Sequence, residues 1–517
     1  MSDTFSLQRR SLLRSIGLVG AAALVGPVRA DLWRERDPFT LGVASGYPQP
    51  DSMVLWTRLA PEPLAPDGGL PAENIPVRWE LARDPGFGDL AAAGTVYAQP
   101  QWAHAVHVEP YGLEPERDYW YRFHVNGATS PIGRTRTAPL QNAPLGQLRL
   151  GVSSCQHYAQ GWYGVYRHVV ADHLDLFLHL GDYIYESTWG ADLVRSQGVQ
   201  EPITLADYRR HYALYKTDPD LQAAHASCPW AVVWDDHEVE NDYAGAISQN
   251  NDDPAWFLRR RAAAYRAYYE HLPLPRTMVP FGPRMRIYKR LRYGQLADLH
   301  LLDDRQYRSQ QPCPKPGRAG SAIIRDCAAR RDPAATMLGE RQEQWLAANL
   351  RASTARWNLI GQQTLMAQAD QKPGPGQAFY SDGWDGYPAA RQRLLDVLAE
   401  PQPRNPVVLG GDVHAFWVTD LKRDFDDPSS ETVASEFVST SITSQSRPED
   451  HIQAVVRENP HLLYGSGRER GYLRLEVTPD LARADLRAVP SVKVRAPSCH
   501  TQASFVVEDG RPGPQPA

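Results

Sequence analysis

Cysteine is scarce in this chain. Five residues among 517 are too few for a small scaffold stapled by disulfides. An excess of basic residues is missing as well: 55 lysines and arginines stand against 60 aspartates and glutamates, a formal charge of −5. No broad basic face is therefore expected, and no nucleic-acid partner. No apolar run has the length of a membrane span, so no transmembrane anchor is expected. The chain also lacks a glycine-rich phosphate loop, a dinucleotide fingerprint after a strand, and the G-x-S-x-G elbow of acyl-transfer enzymes. Internal repeats and the composition of disorder are absent too. What remains is 42% hydrophobic and 22% charged, ample for a sizeable core and two domains.

Residues 1–30 read as processing information. Arg9 and Arg10 precede an apolar run from Ile16 to Val25, and Gly26-Pro27-Val28-Arg29-Ala30 offers small residues where a peptidase can cut. SLQRRSLLR is similar to a twin-arginine export signal; a chance arginine pair in an amphipathic helix is the competing reading. Export by that route implies the twin-arginine machinery as a partner, a periplasmic or secreted location, and passage in the folded state. Removing this segment takes away four arginines and one aspartate and leaves a net charge of −8.

From 36 to 140 the pattern is short alternating segments broken by proline and glycine, such as SMVLWTRLAP and RDYWYRFHVNG. Helical periodicity is absent, so an all-β immunoglobulin- or fibronectin-like sandwich is expected. It either braces a larger domain or touches substrate. After the linker Thr137–Gly146, strands alternate with helices over 147–490, with helical patterns at Leu205 to Lys216, Pro254 to His271, Leu338 to Ser353 and Tyr387 to Glu400. Residues 491–517, polar and punctuated by proline and glycine, read as a C-terminal tail that could cover a cleft.

The most charged punctuation falls at strand ends. VVWDDHEVEND runs from apolar residues into Asp235, Asp236, His237 and Glu238. A buried strand does not tolerate so many unpaired charges, so these side chains must emerge together in a cleft. Three further hydrophobic segments end alike: RLGVSSC at Cys155, LDLFLHLGDYIYE at Asp182 with Tyr185 behind it, and NPVVLGGDVHAF at Asp412 and His414. In open α/β sheets ligands bind at the carboxyl ends of strands. Thiolate, carboxylate, phenolate and imidazole together suggest two different ions, a hard one favouring oxygen and one accepting imidazole and sulfur. Asp182 is the candidate to bridge them, and Gly181 allows close approach of the backbone.

These pieces carry a resemblance. SSCQ, HLGDYIYE, WDDHEVEND, DDRQYR, QEQWL, SDGWDGYP and GGDVH, in that order, resemble the PhoD family of alkaline phosphatases and phosphodiesterases, within the calcineurin-like and purple-acid-phosphatase superfamily. The resemblance runs from about Phe39 to Val489. It implies a four-layer αββα metallophosphoesterase domain after the sandwich, and metal-dependent hydrolysis of phosphate monoesters or diesters, including phospholipid or polymer diesters. It further implies a ferric ion (Fe3+) on Cys155, Asp182, Tyr185 and His414 that carries the attacking hydroxide. Calcium (Ca2+) would lie beside it and bind the phosphate, sharing Asp182, with Asp236, Asp412 and Asn241 as oxygen ligands. His237 matches the histidine near the phosphoryl oxygens, and Arg305 in LLDDRQYR is read as a fork on the equatorial oxygens. A monomer is expected.

Competing readings stay open at several positions. Cys155 is either a ligand or half of a disulfide, and Tyr185 either a ligand or a packed tyrosine. Asp235 either caps a turn or binds a further calcium, while Asp303 and Asp304 could serve only to hold Arg305. Asp382 and Trp384 line the site or stack on substrate. Cys313 and Cys327 are expected to bridge, leaving Cys228 and Cys499 as a possible second pair. Two other functions compete: a cysteine-nucleophile phosphatase using Cys155, for which CQHYAQGWYG lacks the arginine of a phosphate cradle, and a non-catalytic binding protein of the cell envelope.

Overall fold

The computed structural model describes residues 32–517, so the export reading of 1–30 lies outside the described residues. An N-terminal, mostly β region is followed by a mixed α/β region.

In the first region period-two alternation is plain. Asp118–Val125 turns Tyr119, Tyr121, Phe123 and Val125 inward and pairs antiparallel with Ile75–Ala82. Leu90–Ala98, Ala128–Thr129 and Gly133–Arg136 complete a five-stranded sheet. Its apolar face packs on Val43, Leu55, Val106 and Val108, which belong to Val43–Gly46, Val54–Arg58 and Ala105–Val108. These three strands do not stop at the expected boundary near 140. Gly46 pairs in parallel with Trp230 of Trp230–Val232, so they extend the main sheet of the following region. An unpaired strand edge presents free N–H and C=O groups, and joining the two edges satisfies both.

The resulting ten-stranded sheet has Leu148–Ser153, Leu176–His179 and Trp230–Val232 parallel at its centre. On one side Arg470–Val477 and Leu481–Val489 continue it antiparallel, followed by His500–Glu508 and Arg511–Pro516. The expectation of a tail over 491–517 is therefore corrected. Phe505 and Val507 alternate into the core, and the prolines at 512, 514 and 516 are tolerated because Arg511–Pro516 is an edge strand, where missing N–H donors cost little.

A second, seven-stranded sheet holds Ala297–Leu301, Trp357–Gly361, Pro406–Gly410 and Thr432–Val438 in parallel. Successive residues serve opposite faces. Trp357, Leu359, Val407 and Leu409 share the largest apolar cluster with the ten-stranded sheet. Ile360 and Val408 instead join the cluster of Leu346, Leu350, Leu394 and Leu395 from helices Glu340–Arg351 and Pro388–Leu398. Truncating such a core leucine to alanine costs about 2–5 kcal/mol.

Helices Leu205–Lys216 and Pro254–His271 begin where the sequence places them. Thr204 and Asp207 form a reciprocal capping box, and Asp253 caps the Trp256 N–H ahead of Pro254 at the first helical position. Cys313 and Cys327 form a disulfide, as the sequence suggested. The possible Cys228–Cys499 pair does not form, since both thiols are free. The strands that directly follow them, Trp230–Val232 and His500–Glu508, lie five positions apart in the sheet order, about 24 Å, far beyond disulfide reach.

Candidate metal centre

Four strand ends converge as the sequence reading required, and the backbone shows how. Cys155, Asp182, Asp412 and His414 all sit at positive φ, from 54° to 63°, a left-handed conformation that non-glycine residues rarely adopt. Each therefore turns its side chain sharply off the end of its segment and into one space. Gly181, at φ 115°, permits the close approach: a Cβ there would lie 2.4 Å from the Asp235 Cβ. Glu238 ties the ends together, accepting the N–H groups of Asp182 (3.1 Å), Tyr183 and Asp235 (2.8 Å).

Ligand atoms of Cys155, Asp182 and His414 lie within 4.8 Å of one another, as do those of Asp182, Asp236 and His237, and those of Asp182, Asp235 and Asp412. Asp182 is common to all three groups, which is the position a bridging carboxylate occupies. Its Oδ1 and the Oδ2 of Asp235 are buried with no hydrogen-bond donor. Two orphaned carboxylate oxygens are costly unless a cation takes them.

The protons around Tyr185 make the same point. The His414 Nδ1–H donates to the Gln445 carbonyl at 2.8 Å, which leaves Nε2 as a lone pair. The Tyr185 hydroxyl lies 2.8 Å from Asp182 Oδ2 and 3.1 Å from that Nε2, while Ser444 Oγ donates to it at 2.8 Å. One phenol proton cannot serve both acceptors. A cation between carboxylate, phenolate and imidazole removes the conflict, and the donor set of sulfur, oxygen and nitrogen suits a transition metal.

Electrostatics follow from burial. Burial pushes Asp182 and Asp235 well above the carboxylate range, Asp412 to about 7, and His414 down to about 3. Burial, then Asp182 and Asp412, also keeps the Cys155 thiol protonated. A bound cation reverses that logic for thiol and carboxylate alike. A cysteine nucleophile needs an accessible thiolate, whereas Cys155 is 1% exposed and faces carboxylates, so the geometry opposes that reading.

One side of the cluster opens on a cavity of about 630 Å³ whose lining includes Asp236, His237, Asn241, Asp412 and His414, while Cys155, Asp182, Tyr185 and Asp235 are buried and do not line it. None of its lining residues comes from 491–517, so that segment does not form the cover that the sequence left open. His237 Nδ1 meets Glu186 Oε2 at 2.6 Å. Burial opposes protonation of His237, but Glu186, Asp182 and Asp236 outweigh it and hold the imidazolium well above its ordinary range. Asn241 reaches the cavity wall and gives its backbone N–H to Glu186.

Arg305 sits elsewhere than expected. It is 1% exposed and its guanidinium is held by Asp235 and by Asp382 (2.7 Å), with Asp236 at 3.7 Å. Arg308 also binds Asp382. The fork therefore neutralises buried carboxylates behind the site and is not on the cavity wall. Asp303 accepts the Arg305 and Gln306 N–H groups and the Trp234 indole N–H, so it organises the turn and does not hold the guanidinium.

Glu186 escaped the sequence reading, which placed Glu238 in the cleft without its role as an acceptor of strand-end N–H groups; a further acidic group formed by Asp236, Asp242 and Asp382 escaped it as well. Asp242 carries a signal that was available, since END follows HEV at the same strand end. Asp382 comes from a separate loop, and nothing local to SDGWDGYP ties it to Asp242.

Residues 150–486 match the model of the PhoD-like phosphatase family, and 26–139 match the PhoD-like phosphatase N-terminal domain. Alkaline phosphatase D of Bacillus subtilis (strain 168) is 45% identical over 486 residues, 92% of this chain and 82% of that protein. A solved structure of PhoD superposes with a TM-score of 0.89 at 44% identity, covering 93% of this chain and 92% of the other.

Proposed function

Because the chain belongs to the PhoD-like phosphatase family and is an enzyme of hydrolase type, we propose that it hydrolyses phosphate monoesters or diesters at the Asp182 cluster. The observation that carries this reading is Asp182 itself: one buried carboxylate, shared by three ligand groups, with an oxygen left without a donor. In this proposal Cys155, Asp182, Tyr185 and His414 hold ferric iron, and Asp182, Asp236, Asp412 and Asn241 hold calcium. When bound, such ions supply Lewis acidity and lower the pKa of water.

The chain's own residues do the rest. The Gln445 carbonyl fixes the His414 tautomer so that Nε2 faces the cluster. Glu186 keeps His237 charged, leaving Nε2–H to meet a phosphoryl oxygen at the cavity wall as its charge develops. Arg305 and Arg308 hold Asp382 in place from behind. The apolar clusters on both faces of the seven-stranded sheet support a four-layer αββα catalytic domain, and the two faces meeting around Tyr119 and Val106 support an immunoglobulin-like sandwich before it. Twin-arginine export to the periplasm or beyond is part of the same proposal, as is a monomeric state. Among the described residues no helix is long and apolar enough to cross a membrane.

The test is elemental analysis of protein made through its own export route, with kcat/KM for p-nitrophenyl phosphate and bis-p-nitrophenyl phosphate. Iron and calcium bound in stoichiometric amounts, with hydrolysis of one or both esters lost in Asp182→Asn, is the expected result. Full turnover by protein free of both metals overturns it.

A further inference from the structure

One surface away from the catalytic cavity combines features that the hydrolytic reading does not use. The segment RTMVPFGPRMRIYKR, residues 276–290, carries Arg276, Arg284, Arg286, Lys289 and Arg290 and no acidic residue, in a chain whose net charge is −5. At its tip Phe281 is 86% exposed and Val279 41%. These are large apolar side chains left in water without a partner.

The tip is rigidly presented. The Phe281 N–H donates to the Arg284 carbonyl at 2.8 Å, and the Arg284 N–H returns to Phe281 at 3.2 Å. Gly282 takes φ 57° in a turn flanked by Pro280 and Pro283, which limit its alternatives. Arg261, from helix Pro254–His271, donates Nε and Nη2 to the Pro283 carbonyl at 3.1 and 2.9 Å. Met278 and Met285 are buried at the base. The exposed phenyl is thus carried on an anchored turn.

The surrounding charge is largely uncompensated. Arg276, Arg284 and Arg286 are exposed, and none is among the ion pairs of the described residues, in which Arg290 is held by Asp298. Arg286 lies over the Tyr288 ring. Glu109 is the acidic neighbour at the base, where it accepts the Arg276 N–H and the Tyr111 hydroxyl. Tyr111 is itself 67% exposed, an amphipathic ring of the kind that suits a headgroup region.

We propose that this face, Phe281 and Val279 ringed by Arg276, Arg284 and Arg286, with Tyr111 beside it, docks the enzyme on an anionic lipid surface. Apolar side chains gain free energy only if something removes them from water, and guanidinium groups gain by meeting phosphate headgroups. A soluble polyanion satisfies the second requirement and leaves the phenyl wet. A bilayer interface satisfies both, as it does for proteins that lie on a membrane without spanning it.

The experiment is co-sedimentation of the mature chain with vesicles of phosphatidylcholine, alone or with phosphatidylglycerol as one part in three. Binding is expected to the anionic vesicles only and to weaken with added salt. Arg284→Gln should lower the partition coefficient about fivefold, and Phe281→Ser roughly tenfold. Both variants should retain wild-type hydrolysis of a soluble ester, because neither side chain touches the cavity. Equal binding to neutral vesicles, no binding to either, or partition unchanged in both variants overturns the proposal. Two further results also overturn it: polyphosphate binding as tight as vesicle binding and insensitive to Phe281→Ser, which marks a polyanion site, and self-association in sedimentation velocity abolished by Phe281→Ser, which marks an interface between copies.

Discussion

Replacing Arg305 by glutamine separates two accounts of that residue by which quantity changes. As a clamp on substrate oxygens it would contribute to kcat and little to stability. The structure gives it the opposite role: its guanidinium, 1% exposed, is bonded to Asp235 and Asp382. Removing it leaves Asp235 with no cationic partner and Asp382 with Arg308 alone. Leaving a buried charge uncompensated costs about 3–5 kcal/mol, more than the loss of a surface ion pair.

For a chain of this length the unfolding entropy is on the order of 1 kcal/mol per kelvin. Arg305→Gln is therefore expected to lower Tm by about 3–5 °C, if unfolding is cooperative. Arg305→Lys keeps the charge but loses the planar fork, and should recover part of that loss. Calorimetry on both variants, with metal content measured on the same samples, checks this. An unchanged Tm in Arg305→Gln with a hundredfold loss of kcat would refute the reasoning and restore the clamp.

Three more expectations follow from the geometry. The folded carboxyl of Glu186 is drawn down to about 2 from 4.5 because His237 outweighs the effect of burial. Its stabilisation is thus present above about pH 4.5 and lost as pH falls through about 2, on the order of 3 kcal/mol. Glu186→Gln should flatten that acid limb of a Tm-versus-pH curve. Because Glu186 also holds His237 charged, the same substitution should move the alkaline limb of kcat/KM to lower pH; an unmoved profile would detach His237 from the chemistry. Tyr185→Phe removes the hydroxyl between Asp182 and His414 and should reduce bound iron and lower kcat by roughly a hundredfold or more, read by elemental analysis and steady-state kinetics. Opening the Cys313–Cys327 bridge, which spans 14 residues of sequence, should cost up to about 3 kcal/mol by the loop-closure argument. Denaturant midpoints of the double serine variant measure it, and no shift would show that the unfolded chain is not constrained there.

Legibility in the sequence tracked how local each signal was. The ends at Cys155, Asp182, Asp236 and Asp412 were readable because an apolar run broken by ionisable residues leaves a single physical outcome, emergence at a strand end. Helices Leu205–Lys216 and Pro254–His271 were readable from periodicity and from Thr204, Asp207, Asp253 and Pro254 at their starts. Pairings made far away in the chain were not. The union of Val43–Gly46 with Trp230–Val232 depends on two edges finding each other, and no residue near 140 records it. Strand Arg511–Pro516 was hidden by its prolines, which an edge position tolerates. Arg305 was misplaced because a buried arginine between two carboxylates and a guanidinium facing a ligand have the same local spelling.

What no spelling could give is the backbone of the site. Cys155, Asp182, Asp242, Asp412 and His414 all adopt left-handed φ, each at a cost on the order of 1 kcal/mol. A fold does not gather five such residues in one region without compensation, and part of it is visible in Glu238, whose single carboxylate gathers three N–H groups from two strand ends. Asp182 Oδ1 and Asp235 Oδ2, which no donor of the chain reaches, lie at the same strand ends. The strained backbone and the orphaned oxygens therefore converge on one place, and a cation held there would offset the cost of burying those carboxylates.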